Sequence, residues 1–129
     1  MTVEELYKAA LSVMPSNPSE DDSLRQYMVS WVNLLLMETL KYENAVRLCK
    51  GEDELAAAPR VSQLTDTVPY SPHLSENAFI WGIASFMAKD DDDVYHEQDY
   101  RGRYLSACIE YTPVLQRAIV DVYRSDYDA

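Results

Sequence analysis

Residues Tyr27–Met37 read YMVSWVNLLLM, and within this run only Ser30 and Asn33 are polar. Those two lie on one narrow stripe of a helix. A helix packed against a single core carries a wide polar face. Here apolar surface wraps most of the way round, through Met28, Val29, Trp31, Val32, Leu34, Leu35 and Leu36. Two arrangements satisfy such a helix. Its own neighbours surround it, or one face packs inside the subunit while another meets a second subunit. With about four helices available, few elements can do the surrounding, so the second arrangement is favoured.

The pattern extends outward from this run in both directions. Upstream, Asp21, Asp22 and Ser23 supply a cap and the negative charge that a helix N-terminus favours. Downstream there is no breaker before Cys49, and Gly51 is a C-terminal stop. This predicts one long central helix. Before it, Thr2 and Glu5 form a capping-box pattern, followed by Val3, Leu6, Tyr7, Ala10, Leu11 and Met14 at helical spacing, with Pro15 and Pro18 ending that first helix. After Gly51, residues 52–58 have the composition of a helical turn that Pro59 stops. Arg60–Tyr70 (RVSQLTDTVPY) alternates polar and apolar residues, which predicts an extended segment with one or two short strands. Ser71-Pro72 opens a third helix to Lys89, with Phe79, Trp81, Ile83 and Phe86 apolar on more than one side. Asp90–Asp93 separates it from a last helix that begins near Val94. That helix carries Tyr100, Tyr104, Cys108 and Tyr111 as one stripe, flanked by Tyr95, Leu105 and Ile109. Pro113 interrupts it. The expected fold is all-α, a bundle of four to five helices with a short extended segment near residues 59–70. Residues 1–112 form the main domain, and 113–129 a C-terminal helical stretch and tail.

Composition narrows the function. The chain has 129 residues and 47% hydrophobic content, enough for a core. Its 22 acidic against 11 basic residues give a formal charge of −11. That balance argues against a sequence-reading duplex binder, which needs clustered Lys and Arg. Three glycines leave no phosphate-cradling loop. The N-terminal residues lack the pattern of a signal peptide, and the apolar run at Trp31–Met37 is too short to span a bilayer. An intracellular protein with Cys49 and Cys108 as buried free thiols is expected.

Catalytic and metal-binding patterns are absent. An EF-hand loop counted from Asp90 or Asp91 lacks the Gly at its sixth position and the Glu at its twelfth, so the acidic run reads as a solvated loop that caps the next helix. Asp93 and His96 have carboxylate-x-x-His spacing, yet a di-iron bundle needs two such pairs, and His73 makes none. Neither cysteine has a basic neighbour that would clearly lower its pKa, and both sit within apolar stripes. Nothing brings Asp66, Glu76 and Glu97 together as an acid/base set. No enzyme activity, metal or cofactor is expected. Ten tyrosines in so small a domain favour large interfaces over catalysis.

The order of elements from Val61 to Tyr111 carries a resemblance. An extended Val-Ser-Gln-Leu-Thr-Asp leads to Val68-Pro69-Tyr70, then to the apolar helix Ala78-Phe79-Ile80-Trp81-Gly82-Ile83-Ala84, the acidic loop, and a helix bearing Tyr100 and Tyr104. This resembles the head–tail adaptor (connector, or head-completion) proteins of tailed bacteriophages and prophages, with Val68 where that family has leucine. The resemblance implies a virion structural protein of the neck: a ring, commonly twelvefold, beneath the portal protein. Such a ring continues the DNA channel for genome packaging and ejection, and offers its other face to a stopper or tail-completion protein. It implies synthesis in the host bacterial cytoplasm and localisation at the head–tail interface. Subunit-interface candidates are then Trp31, Leu35, Trp81, Tyr100 and Tyr104. Portal-contact candidates are Val114, Tyr123, Arg124 and Tyr127. Acidic channel-lining candidates are Glu52, Asp53, Glu54 and Asp90, Asp91, Asp92, Asp93. Twelve copies at −11 would carry roughly −132, a field that keeps DNA off the wall without sequence-specific binding. The alternative is a small acidic helical regulator or DNA mimic that binds a basic protein through its carboxylates.

Overall fold

A computed structural model describes residues 1–14 and 22–110 of the chain. Helix α1 spans Val3–Ser12. A 3₁₀ stretch at Asp22–Tyr27 leads into α2 at Met28–Glu38, and α3 follows at Leu40–Cys49. A π-helical stretch at His73–Ala78 runs directly into α4 at Phe79–Asp90, and α5 covers Val94–Glu110. The all-α class holds. Among the described residues there is no strand, and the only bridge pairing is an isolated antiparallel contact between Thr2 and Thr67.

The expected single long helix is divided at Thr39, whose backbone (φ −103°, ψ 7°) leaves the helical region. Three hydrogen bonds satisfy two carbonyls at this break. The Thr39 hydroxyl donates to the Leu35 carbonyl at 2.7 Å, beside the Thr39 amide at 3.0 Å, and the Tyr70 hydroxyl donates to the Leu36 carbonyl at 2.6 Å. Burial raises the Tyr70 pKa to about 12, with the Glu43 charge adding to it, so that hydroxyl remains a donor.

Helix α4 is the centre of the bundle, with α5, α1 and α2 all packed on it. Gly82 makes the crossing possible. A Cβ there would stand 3.0 Å from both Leu35 methyl carbons and 3.1 Å from the Tyr104 ring, so α2 and α5 meet over a missing side chain. The core around this point holds Leu6, Tyr7, Met28, Val32, Leu35, Leu36, Phe79, Ile83, Met87 and Tyr104.

The alternation of residues 60–70 is real, since Val61, Val68 and Tyr70 are buried, but its partners are not strands. Asn33 on α2 offers its amide to the backbone of Val61, donating to the carbonyl at 3.0 Å and accepting from the amide at 2.8 Å. Asn44 on α3 does the same for Leu55, at 3.1 and 2.7 Å. Each asparagine replaces one rung of a β-ladder, so the segment is held extended without a sheet. Residues 52–58 accordingly form no helical turn. The far end of this strap completes α1. The Val3 and Glu4 amides, orphans of a first helical turn, donate to the carbonyls of Asp66 and Leu64 at 3.0 Å each. Thr2 caps the Glu5 amide at 3.1 Å as its sequence pattern predicts.

Candidate interaction surfaces

Three of the five interface candidates lie inside the chain. Leu35 and Tyr104 are fully buried at the Gly82 crossing and Tyr100 is 4% exposed, so none offers its side chain to a second molecule. Trp31 and Trp81 are half-buried, and each belongs to a different aromatic seam.

In the first seam, where α2 meets α4, Trp31 stacks on Phe86 with centroids 5.7 Å apart, and Tyr27 lies 5.7 Å from Trp31 on the other side. Leu34 and Met37 extend the seam along α2 at 51% and 62% exposure. Trp31, Leu34, Phe86, Lys89 and Asp90 line an open groove of about 520 Å³. Tyr27, Leu34, Met37 and Phe86 are not among the interface candidates read from the sequence. For the α2 residues the signal is the spacing Tyr27, Trp31, Leu34, which sets an apolar face about a quarter-turn round the helix from the buried Met28, Val32 and Leu35.

The second seam runs along α5. Tyr95 meets His96 edge-on at 5.2 Å, His96 lies 5.7 Å from Tyr100, and Tyr100 lies 5.7 Å from Trp81. The Arg103 guanidinium sits 4.9 Å over the Trp81 ring and donates to Asp99 at 3.2 Å. Trp81, Arg103, Gly102 and Ser106 contribute to a second groove, of about 510 Å³. The two seams face different directions from α4, because Trp81 and Phe86 are five positions apart and therefore about 140° apart around the helix.

The acidic candidates divide by role. Glu52, Asp53 and Glu54 are exposed after α3, and Asp90, Asp91 and Asp92 are exposed at the end of α4 and just after it. Asp92 takes the left-handed conformation (φ 56°) as α4 ends: its amide donates to Lys89 and the Asp93 amide to Ala88, which is the Schellman pattern. Gly51 ends α3 the same way at φ 78°, with the Glu52 amide donating to Arg47 at 2.8 Å. Asp93 begins α5, accepting from the His96 amide at 3.2 Å and pairing with the His96 ring. Those two hydrogen bonds hold its carboxyl below the ordinary value. The carboxylate-x-x-His spacing is thus a helix cap.

Asp66, Glu76 and Glu97 sit on three separate elements. Asp66 clamps its own loop, accepting from the Ser62 amide at 2.7 Å and the Gln63 amide at 3.0 Å, and these bonds lower its pKa. Cys108 is buried, and burial pushes its thiol up to about 11. Cys49 corrects the expectation of two buried thiols. It is exposed, because the last turn of α3, with Leu48 58% exposed beside it, faces away from the core. Among the described residues no three His, Cys, Asp or Glu are grouped to hold a metal ion, and no helix is long and apolar enough to cross a membrane. The portal-contact candidates Val114, Tyr123, Arg124 and Tyr127, and the C-terminal stretch 113–129 as a whole, lie outside the described residues. Comparisons with protein-family models, with curated proteins and with solved structures find no match for this chain.

Proposed function

We propose that this chain is a non-enzymatic structural subunit that assembles with copies of itself, and that its assembly is the head–tail adaptor ring of a tailed bacteriophage. In this reading the ring docks beneath the portal protein, extends the DNA channel, and presents its other face to a stopper or tail-completion protein. The observation that carries it is the apolar seam in which Tyr27, Leu34 and Met37 are exposed beside the half-buried Trp31 and Phe86. Ring closure needs a heterologous contact, in which one face of a subunit meets a different face of the next. Two aromatic seams pointing different ways from α4 supply two such faces. The order of elements between Val61 and Tyr111, with its resemblance to the adaptors, supports the same reading. The formal charge of −11 suits a wall that DNA slides past.

The test is electron microscopy and native mass spectrometry of the chain alone and with a portal from the same phage genome. Rings, free or templated, are expected, and a strictly monomeric chain that ignores the portal would sink the proposal. Trp31→Ala should leave the circular dichroism spectrum unchanged and abolish the ring, because its half-exposed ring system contributes to contact more than to the core.

A further inference from the structure

The buried stripe of α2 continues across the break into α3 but changes its chemistry there. Met28, Val32 and Leu35 are followed in helical register by Thr39 and Glu43. Glu43, 2% exposed, is the one fully buried residue of α3. Its carboxylate accepts from the Ser71 amide at 3.0 Å, the Ser71 hydroxyl at 3.1 Å and the Arg47 Nε at 3.3 Å. The second tie is the pair of hydrogen bonds between Asn44 and Leu55. The apolar side chains of α3 contribute little by comparison: Leu40, Tyr42 and Val46 are half-buried and Leu48 is exposed.

This anchoring has a thermodynamic consequence. Undocking a core helix exposes apolar surface, and that penalty holds it in place. Undocking α3 uncovers only half-buried apolar side chains, Leu40 and Tyr42 among them, and returns a buried carboxylate to water, recovering its hydration. Thr39 provides the pivot, since its backbone is already outside the helical region and its neighbours' carbonyls are satisfied locally or by Tyr70. Residues 28–49 contain no glycine or proline, so nothing covalent fixes the break in one geometry.

We propose that α3 is a hinged arm, pivoting at Thr39 and latched by Glu43 on Ser71 and by Asn44 on Leu55, which opens as a unit while α1, α2, α4 and α5 stay folded. The arm does not depend on the adaptor reading. Native-state hydrogen exchange on the full chain tests it through three amides: Ser71 and Leu55, which donate to the two latch side chains, and Val61, which donates to Asn33 on α2. In the wild type, Ser71 and Leu55 should exchange at matching opening free energies, about tenfold or more faster than Val61. Asn44→Ala should speed exchange at Ser71, which Asn44 does not bond, and leave Val61 unchanged. Thr39→Gly, which loosens the pivot without touching either latch, should speed Ser71 and Leu55 together. The arm is overturned if Val61 exchanges as fast as the other two, or if Asn44→Ala and Thr39→Gly leave Ser71 unaffected, since the ties would then be independent local contacts.

Discussion

Helix α2 buries Met28, Val32, Leu35 and Leu36 completely, whereas α3, one residue further on, buries only Glu43. Both helices also hold the same extended strap by the same device, an asparagine paired with a strap backbone. On α2 that asparagine is Asn33, buried at 7% exposure, and on α3 it is Asn44, which is only half-buried. The difference lies in what surrounds each hydrogen bond. Around Asn33 the core excludes water, so a broken pair has no replacement partner. Around Asn44 solvent is at hand. Hydrogen bonds of the same kind therefore cost more to break on α2 than on α3.

The sharpest way to break this contrast is at the Gly82 crossing. Leu35→Ala removes a fully buried side chain that touches α4, and it should destabilise the whole fold by about 3 kcal/mol in urea denaturation. Next comes Asn33→Ala, expected to lose about 2 kcal/mol because the Val61 amide and carbonyl are left unpaired in a buried setting. Gly51→Ala, at φ 78°, should cost about 1 to 2 kcal/mol despite the open space around it, seen as fraying of α3 and not as loss of the core. Asn44→Ala should lower global stability by less than about 1 kcal/mol, since water replaces the lost partner. Equal effects from the two asparagines would erase the distinction between the helices.

The mildest perturbation is acid. Asp66 has a folded pKa below the ordinary 3.8, held there first by the Ser62 amide and then by the Gln63 amide. Its contribution to the loop is therefore present above that ordinary value and is lost as pH falls through the lowered one. Amide chemical shifts of Ser62 and Gln63 should follow that protonation, while those of α4 stay in place.

Much of this architecture was legible in the sequence, because helix periodicity and capping are local. Thr2 with Glu5, Gly51, and the Asp93 cap each act within a few residues, and the helices formed where those signals put them. The break at Thr39 was not legible. A threonine at a buried stripe position is compatible with a continuous helix, and what satisfies the Leu36 carbonyl is Tyr70, 34 positions away. The strap was misread in part for the same reason. Alternation shows that one side of a segment is buried, but not whether its backbone pairs with a strand or with asparagine side chains. For the surfaces, the apolar excess around Trp31 was visible. Its division into a buried face and an exposed seam depended on Gly82, whose missing side chain lets Leu35 and Tyr104 meet inside the chain.

The strap also imposes an order on the making of the protein. The first-turn donors of α1, at Val3 and Glu4, are satisfied by carbonyls of Asp66 and Leu64, and the Val68 amide donates to the Met1 carbonyl. A ribosome releases α1 before the strap, and the groups that complete its start emerge some sixty residues later. Until then α1 has an amphipathic face with no core to cover it and an incompletely capped beginning. Helix α1 is thus synthesised well before it can be secured, and the nascent chain must keep Val3, Leu6, Tyr7 and Ala10 out of trouble in the interval.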